Sequence, residues 1–209
     1  MKAIVNVNEC WAIGYGGELL CFIKEDMRFF RETTRGKLVI MGRKNLESFP
    51  GGRPLKGRVN VVLTRRLSSV SEEARAAADL CLPLPAEEPP EGDAFRAAAQ
   101  AVRAFMEVPE AERPTLLIIA GSREQVLRLA APWEEESYVI GGAEIYRQFL
   151  PDCSLCLVTK NNVSKEADVY FPDLDADPAW DVQEMSEEHR DGDVSYRFYT
   201  YVRKDTYER

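Results

Sequence analysis

A carboxylate near the start of a predicted helix is the residue best placed to do chemistry. Asp26 lies in the first turn of a helical pattern, where an acidic side chain often does no more than interact with the helix dipole. Phe29 and Phe30 follow three and four residues later, so the carboxylate shares a helix face with aromatic rings. Desolvation on such a face raises a carboxyl pKa and leaves the oxygens in need of donors. Asp26 is therefore the candidate catalytic acid, with the plain helix-terminal role as the alternative.

Two apolar strand patterns end in glycine immediately before a helical pattern. The first runs into Gly42, with Arg43 and Lys44 adding positive charge, and the second runs into Gly141 and Gly142. Backbone N–H groups at such a turn can bind an anion, and glycine lets a flat ligand or a pyrophosphate come close to the backbone. The same patterns also occur in ordinary turns, so they are candidate ligand-binding turns rather than a full dinucleotide motif.

Two arginines flank a third apolar strand pattern. Arg58 could receive a substrate carboxylate through two parallel hydrogen bonds, and Arg65 could bind a phosphate, although both residues are also typical surface bases. The single histidine, His189, lies in a connection rich in Glu and Asp and is expected to be solvated. With no other histidine and no Ser/His/Asp or metal-ligand spacing, the sequence gives little support to a hydrolytic triad or a metal centre.

Composition restricts the class of protein. The 209 residues carry a net charge of −8, which disfavours general binding to nucleic acid or to an anionic membrane. No segment resembles a secretory signal or a membrane span, so we expect a cytoplasmic protein. Five cysteines at irregular spacing suit reduced thiols, and the Cys153/Cys156 pair runs into a strand pattern and is expected to be buried.

Apolar runs that alternate with helical patterns predict an α/β protein with a mostly parallel sheet. The predicted strands cover residues 3–7, 38–41, 59–64, 116–120, 137–140 and 155–159, and the predicted helices cover 25–34, 44–48, 123–129 and 143–149. Two final strands, at 180–185 and 195–201, surround a polar connection and predict an antiparallel hairpin that makes the sheet mixed.

Residues 66–114 form a compositionally distinct stretch. Ser69 and Glu72 have capping-box spacing before an alanine-rich helix, a Pro/Glu-rich loop follows at 83–93, and a second helix carries Phe95, Val102 and Phe105 on one face. Fewer than about 50 residues rarely build an independent core. We therefore expect one domain over residues 1–209 with a helical insertion at about 66–114.

The order of these segments resembles the dihydrofolate reductase family over residues 1–65 and about 115–203. The matching segments are Trp11-Ala-Ile-Gly14, Glu25-Asp-Met-Arg-Phe-Phe30, Val39-Ile-Met-Gly-Arg43, Arg53-Pro-Leu-Lys-Gly-Arg58, Val62-Leu-Thr-Arg65, Val139-Ile-Gly-Gly-Ala-Glu-Ile-Tyr146, Leu157-Val-Thr159 and Tyr170-Phe-Pro-Asp173. The resemblance implies a three-layer α/β fold, with a mixed and mostly parallel central sheet, helices on both faces and an antiparallel C-terminal hairpin.

The resemblance also implies hydride transfer from NADPH to 7,8-dihydrofolate, giving tetrahydrofolate. Asp26 would accept hydrogen bonds from the 2-amino group and N3 of the pterin, Thr159 would support Asp26, and Arg58 would hold the carboxylate of the glutamate tail. The remaining residues that would contact the substrate are Val5, Met27, Phe30, Phe49 and Ile140. Those that would contact NADPH are Asn6, Ile13, Gly42, Arg43, Lys44, Asn45, Thr64, Arg65, Gly141, Gly142, Ala143, Glu144, Ile145 and Tyr146.

Four positions depart from the family pattern. Leu19-Leu20-Cys21 stands where the family usually has Leu-Pro-Trp, and Asn6 and Asn45 stand where Ala and Thr are common. Two other functions therefore stay open: reduction of another heterocycle, as in the pyrimidine reductases of riboflavin synthesis, and non-catalytic binding of a nucleotide or folate. The expected partner is the small-molecule substrate alone, bound by a monomer, with no nucleic acid, membrane or metal.

Overall fold

A computed structural model describes residues 1–89 and 92–204. The strands in this part of the chain are β1 (Lys2–Asn8), β2 (Ala12–Tyr15), β3 (Glu18–Leu19), β4 (Leu38–Gly42), β5 (Val59–Leu63), β6 (Leu80–Leu84), β7 (Leu116–Ala120), β8 (Ser137–Gly141), β9 (Leu155–Asn161), β10 (Val169–Tyr170), β11 (Trp180–Met185), β12 (His189–Asp191) and β13 (Val194–Arg203). The α-helices are α1 (Lys24–Thr34), α2 (Arg43–Ser48), α3 (Glu72–Ala76), α4 (Asp93–Glu107), α5 (Arg123–Ala130) and α6 (Ala143–Phe149).

The chain divides into two compact units. The terminal unit comprises Met1–Thr33 and the chain from Tyr146 onward, and the central unit comprises Thr34–Ile145. In the central unit, five parallel strands lie in the order β8-β4-β5-β7-β6. β7 and β8 are buried at every position, which explains their unbroken apolar runs, because strands covered on both faces cannot alternate with polar residues.

The terminal unit contains a mixed group of strands and a small separate sheet. β1 pairs with β9 in parallel, β9 pairs with β13 antiparallel, and β11 and β12 both pair antiparallel with β13. β2, β3 and β10 form a three-stranded antiparallel sheet. The predicted α/β class, with mostly parallel strands and an antiparallel C-terminal pair, is confirmed.

The predicted helical insertion also contains a strand. β6 pairs in parallel with β7 and extends the central sheet by one strand, whereas the sequence analysis predicted only helices there. Pro83 interrupts the strand pattern, and proline is tolerated in β6 because it is an edge strand. The apolar face predicted for α4 is confirmed, since Phe95, Val102 and Phe105 are buried.

Two further details of the insertion can be compared with the prediction. The predicted capping box at Ser69 is wrong: Ser71 caps α3 by accepting from the Ala74 backbone N–H over 3.1 Å, because the helix begins at Glu72. Residues 90 and 91 of the predicted Pro/Glu-rich loop lie outside the described residues.

The structure also tests the predictions made for the cysteines. All five cysteines are free thiols, and Cys153 and Cys156 are buried as expected. Burial raises the pKa of Cys153 to about 12, so its thiol stays protonated and packs as a small apolar group. Among the described helices, none has the length and apolar character that a membrane crossing requires.

Candidate active site

Asp26 lies in the first turn of α1, and donors from two neighbouring strands hold its carboxylate. Thr159 of β9 donates from Oγ1 to Asp26 Oδ1 over 2.6 Å, and Asn6 of β1 donates from Nδ2 to Asp26 Oδ2 over 2.8 Å. Burial raises the pKa of Asp26, while the hydrogen bonds from Thr159 and Asn6 lower it and offset part of that effect. The carboxyl group is thus partly desolvated, and two donors fix its orientation.

The register of β1 and β9 determines which side chains meet at Asp26. Asn6 pairs with Thr159, and two residues further along Asn8 pairs with Asn161. Because side chains alternate across a strand, these polar residues share a face. Asn161 donates from Nδ2 to Asn6 Oδ1 over 2.7 Å, so a chain of hydrogen bonds runs from Asn161 through Asn6 to Asp26.

The first turn of α1 is also held by the C-terminal strands. Asp191 of β12 accepts from the Lys24 backbone N–H over 2.9 Å, which satisfies one of the free donors at the helix start. Tyr196 donates its hydroxyl to Glu25 Oε2 over 2.6 Å. His189, predicted to be solvated, is partly exposed: its ring stacks on Tyr196 at 5.5 Å, and Nδ1 lies 3.7 Å from Glu25 Oε2.

Apolar side chains on α1 and β1 are buried or half-buried near the positions of Asp26 and Asn6 in these elements. Val5 is buried in β1, while Met27 and Phe30 are half-buried on α1. Phe29 packs against Phe198 of β13 with ring centroids 5.1 Å apart. Tyr146, predicted to contact NADPH, is buried and donates its hydroxyl to the Ile4 carbonyl over 2.7 Å.

The loop that departs from the family pattern lies beside Asn6. A cavity of about 10 Å³ is lined by Asn6, Ala12, Ile13, Leu19, Leu20, Cys21 and Asn161. Leu20 is buried, and its carbonyl accepts from Lys165 Nζ over 3.1 Å. Burial raises the pKa of the Cys21 thiol, and the negative charge of the nearby Asp26 raises it further.

In the central unit, the predicted glycine turns lie at the carboxyl ends of neighbouring parallel strands, along one edge of the sheet. Gly42 ends β4, and Gly141 ends the neighbouring β8. A Cβ atom on Gly42 would lie 3.1 Å from Ile145 Cγ1, so glycine permits close packing of the β4 end against α6. Asn45 Nδ2 donates to the Ile140 carbonyl over 3.0 Å and joins α2 to the end of β8. The carboxyl edge of a parallel sheet is the usual ligand-binding edge in α/β proteins.

Other predicted cofactor residues lie at the same sheet edge. Thr64 follows β5, which pairs with β4, and its backbone N–H donates to the Ala120 carbonyl over 3.0 Å. The space that a Cβ on Gly142 would occupy is open, so a ligand could approach the backbone there. Ala143, Glu144 and Ile145 form the first turn of α6.

The basic residues differ in their surroundings. Lys44 and Arg65 are exposed, whereas the Arg43 guanidinium forms an ion pair with Glu47 on the same helix. A phosphate near α2 would therefore compete with Glu47 for Arg43, while Lys44 and Arg65 extend into solvent. All three predicted bases could thus bind an anion, but Arg43 would first have to give up its ion pair with Glu47.

The surface-base interpretation of Arg58 is contradicted by its burial. Arg58 is only 7% exposed, and it donates from Nε to Thr34 Oγ1 over 3.1 Å and from an Nη atom to the Lys56 carbonyl over 2.7 Å. A guanidinium held this way is oriented in advance, which suits recognition of a planar carboxylate. Phe49, at the end of α2, is half-buried.

Sequence reasoning did not identify Asn161 or the anchoring of α1 by Asp191 and Tyr196. The signal available for Asn161 was the alternation of polar residues at 6 and 8 in β1 and at 159 and 161 in β9. Two apolar strands that each carry polar residues at a spacing of two indicate a shared polar face. Among the described residues, no group of three His, Cys, Asp or Glu side chains is arranged to hold a metal ion.

Comparison with protein families gives a match over most of the chain. The model of the family described as dihydrofolate reductase matches residues 1–85 and 108–203, and so leaves out residues 86–107, which contain α4. The dihydrofolate reductase of Neisseria gonorrhoeae is 31% identical over 192 residues, covering 92% of this chain and 91% of that protein. That of Heliothis virescens is 31% identical, covering 90% of this chain and 89% of that protein.

A solved structure also resembles the chain. The dihydrofolate reductase of Enterococcus faecalis, complexed with NADP(H) and RAB-propyl, aligns with a TM-score of 0.65 over 98% of this chain and 96% of that one. Sequence identity is 23%, so this likeness supports the fold.

Proposed function

The chain belongs to the dihydrofolate reductase family and is an NADPH-dependent oxidoreductase, and we propose that it reduces 7,8-dihydrofolate to tetrahydrofolate at Asp26. The observation that carries this proposal is the Asp26 carboxylate, desolvated on α1 and oriented by Thr159 and Asn6. A carboxylate oxygen has room for more than one donor, so both Asp26 oxygens can also accept from a ligand. The adjacent 2-amino group and N3–H of a pterin present two such donors.

Asp26 would act by binding and by its field. Reduction at C6 of the pterin requires a proton at N5, and a negative charge in a partly desolvated pocket favours the protonated ring. Asp26 anchors the opposite side of the ring, and we propose that the proton reaches N5 from water. NADPH supplies the hydride when it is bound. Val5, Met27 and Phe30 would exclude water from the ring.

Roles in the central unit follow from the family match and from the local chemistry. We propose that Arg58 binds the glutamate-tail carboxylate, because its guanidinium is buried and already oriented. Phe49 and Ile140 would contact the substrate. The glycine turns at Gly42 and Gly141-Gly142 fit a cofactor, since open space above Gly142 exposes the backbone.

The bases and turn residues of the central unit would hold the remaining parts of NADPH. Lys44 and Arg65 would bind the 2′-phosphate, and Arg43 would join them by exchanging its Glu47 partner for the phosphate. Charge-assisted contacts of this kind favour NADPH over NADH.

We also propose that the whole chain works as one reductase domain, because the family match runs through both units. The enzyme would act as a cytoplasmic monomer without a nucleic-acid partner. The net charge of −8 and the five free thiols support this proposal.

The test is the loss of NADPH absorbance on addition of 7,8-dihydrofolate, with the Asp26→Asn variant as the matched control. We expect dihydrofolate-dependent oxidation by the parent protein and a large loss in the variant. Oxidation with a pyrimidine substrate but not with dihydrofolate would favour the riboflavin-type reductase. If a fluorescence titration shows that both ligands bind and NADPH is not oxidised, the protein is a non-catalytic binding module.

A further inference from the structure

Two asparagines form a chain of hydrogen bonds that ends on the Asp26 carboxylate. Asn6 donates to Asp26 Oδ2 over 2.8 Å, and Asn161 donates to Asn6 Oδ1 over 2.7 Å. We propose that Asn6, oriented by Asn161, is a positioning residue that holds the Asp26 carboxylate ionised and correctly directed for the pterin. This inference rests on the proposed role of Asp26, and it assigns Asn6 to the acid rather than to the cofactor.

Backbone groups determine the orientation of the Asn161 amide. Asn161 Nδ2 also donates to the Val7 carbonyl over 2.8 Å, and Asn161 Oδ1 accepts from the Val163 backbone N–H over 2.9 Å. If the Asn161 amide were rotated by about 180°, its oxygen would face the Val7 carbonyl and its amino group would face the Val163 N–H. Both contacts would be repulsive. Asn161 therefore donates an N–H to Asn6, and Asn6 accepts this hydrogen bond with its side-chain oxygen. The Asn6 amino group is then left facing Asp26.

The two donors to Asp26 differ in what they permit. The Asn6 amino group can only donate, so it stabilises the ionised carboxylate and cannot accept a hydrogen bond from the O–H of the neutral acid. The Thr159 hydroxyl can donate or accept and is compatible with both states. When Asp26 is neutral, its proton lies on Oδ1, which faces Thr159, and not on Oδ2. Asn6 thus biases Asp26 towards the charged form.

The thiol and the two phenols near Asp26 stay neutral while Asp26 titrates. Burial raises the pKa of Cys21 in the preceding loop, of Tyr146 and of Tyr196 in β13, and the Asp26 charge raises each of them further. Lys165, near Cys21, contributes a positive charge. The titration midpoint of Asp26 therefore reports mainly on its own donors.

The experiment is a ¹³C NMR titration of the aspartate carboxyl carbons in the parent, Asn6→Ala and Asn6→Asp proteins, with Asp26→Asn used to assign the resonance. We expect the Asp26 midpoint to rise by about one pH unit in Asn6→Ala, the tenfold change typical of a lost hydrogen bond to a charged group. Asn6→Asp places a second carboxylate beside the first and should raise the midpoint further. The pH midpoint of the hydride step should move in the same direction.

Asn8→Ala is the matched control. Asn8 lies on the same strand and is buried. Its Oδ1 accepts from the Cys10 and Ala12 backbone N–H groups and its Nδ2 donates to the Val163 carbonyl over 3.0 Å, so it makes no hydrogen bond to Asn6 or Asp26. This variant should lower thermal stability without moving the Asp26 midpoint.

An unchanged midpoint in Asn6→Ala, or in Asn6→Asp if only that variant folds, would overturn the inference. An equal shift in Asn8→Ala would also overturn it. The titration does not need substrate, so a shifted midpoint in a protein that does not reduce dihydrofolate would reject the proposed function and retain the coupling of Asn6 to Asp26.

Discussion

Asp26→Asn should lower catalysis while leaving the fold at least as stable at neutral pH. The substituted amide can still meet both neighbours: its oxygen accepts from Asn6, and its amino group donates to the Thr159 hydroxyl, which can accept. What is lost is the negative charge and one of two acceptors for the pterin. A hydrogen bond to a charged group contributes about 1.5 to 3 kcal/mol, and the lost field at N5 adds to that.

The expected loss in kcat/KM at pH 7 is therefore about tenfold to a thousandfold, or about 1.4 to 4 kcal/mol. Single-turnover measurements of the hydride step should show partial recovery as the pH falls, because protonated substrate bypasses part of the defect. The parent should instead reach a plateau at low pH. Turnover close to the parent at neutral pH would refute the catalytic role of Asp26.

The effect on stability should have the opposite sign. Burial raises the folded-state pKa of Asp26, so between the unfolded value, about 3.9, and the raised value the folded protein binds more protons than the unfolded chain. The free energy of unfolding of the parent therefore falls as pH rises through that window. Asp26→Asn removes this penalty and should unfold at the same or a higher temperature at pH 7, with the difference vanishing below about pH 4. A lower melting temperature at both pH values would contradict this reasoning.

Three further outcomes are expected. Arg58→Ala should raise KM for dihydrofolate far more than it lowers kcat, since the tail is bound equally in the ground and transition states, and a fall in kcat at constant KM in steady-state assays would exclude the carboxylate-binding role. Arg65→Ala should lower kcat/KM for NADPH by about tenfold to a hundredfold and leave that for NADH unchanged, so equal losses with both cofactors would reject a 2′-phosphate contact. Replacing residues 67–113 with a Gly/Ser linker removes β6 and leaves the wholly apolar β7 as an edge strand, which should lower the thermal unfolding temperature and increase light scattering. A soluble variant with unchanged stability would show that β6 does not protect this edge.

The parts of the fold that could be predicted from the sequence are those whose burial requires a recognisable pattern of apolar residues. β7 and β8 were predictable because strands covered on both faces are apolar throughout, and α4 because one face carries its aromatic residues. β6 was missed because it is exposed in part and contains Pro83. The two-residue strands β3 and β10 depend on pairing rather than on any local preference.

The candidate site divides in the same way. Asp26 could be identified because its helix face is visible in the sequence. For Asn161 the spacing of polar residues indicates a shared polar face, but it does not give the register that places residues 6 and 159 side by side. The burial of Arg58 was equally hidden, since its partner Thr34 lies at the end of α1 and 24 residues away in the chain.

The loop that lacks Pro and Trp is stabilised by contacts separate from those that control the acid. Leu20 is buried and its carbonyl is held by Lys165, which restrains the loop without a bulky ring. The Cys21 thiol stays neutral because burial and the Asp26 charge raise its pKa, so the loop places no second charge beside the carboxylate. Burial raises the pKa of Asp26, and the hydrogen bonds from Thr159 and Asn6 lower it. Neither donor is a loop residue, so substitution of Lys165 would release the Leu20 carbonyl without removing either hydrogen bond to Asp26.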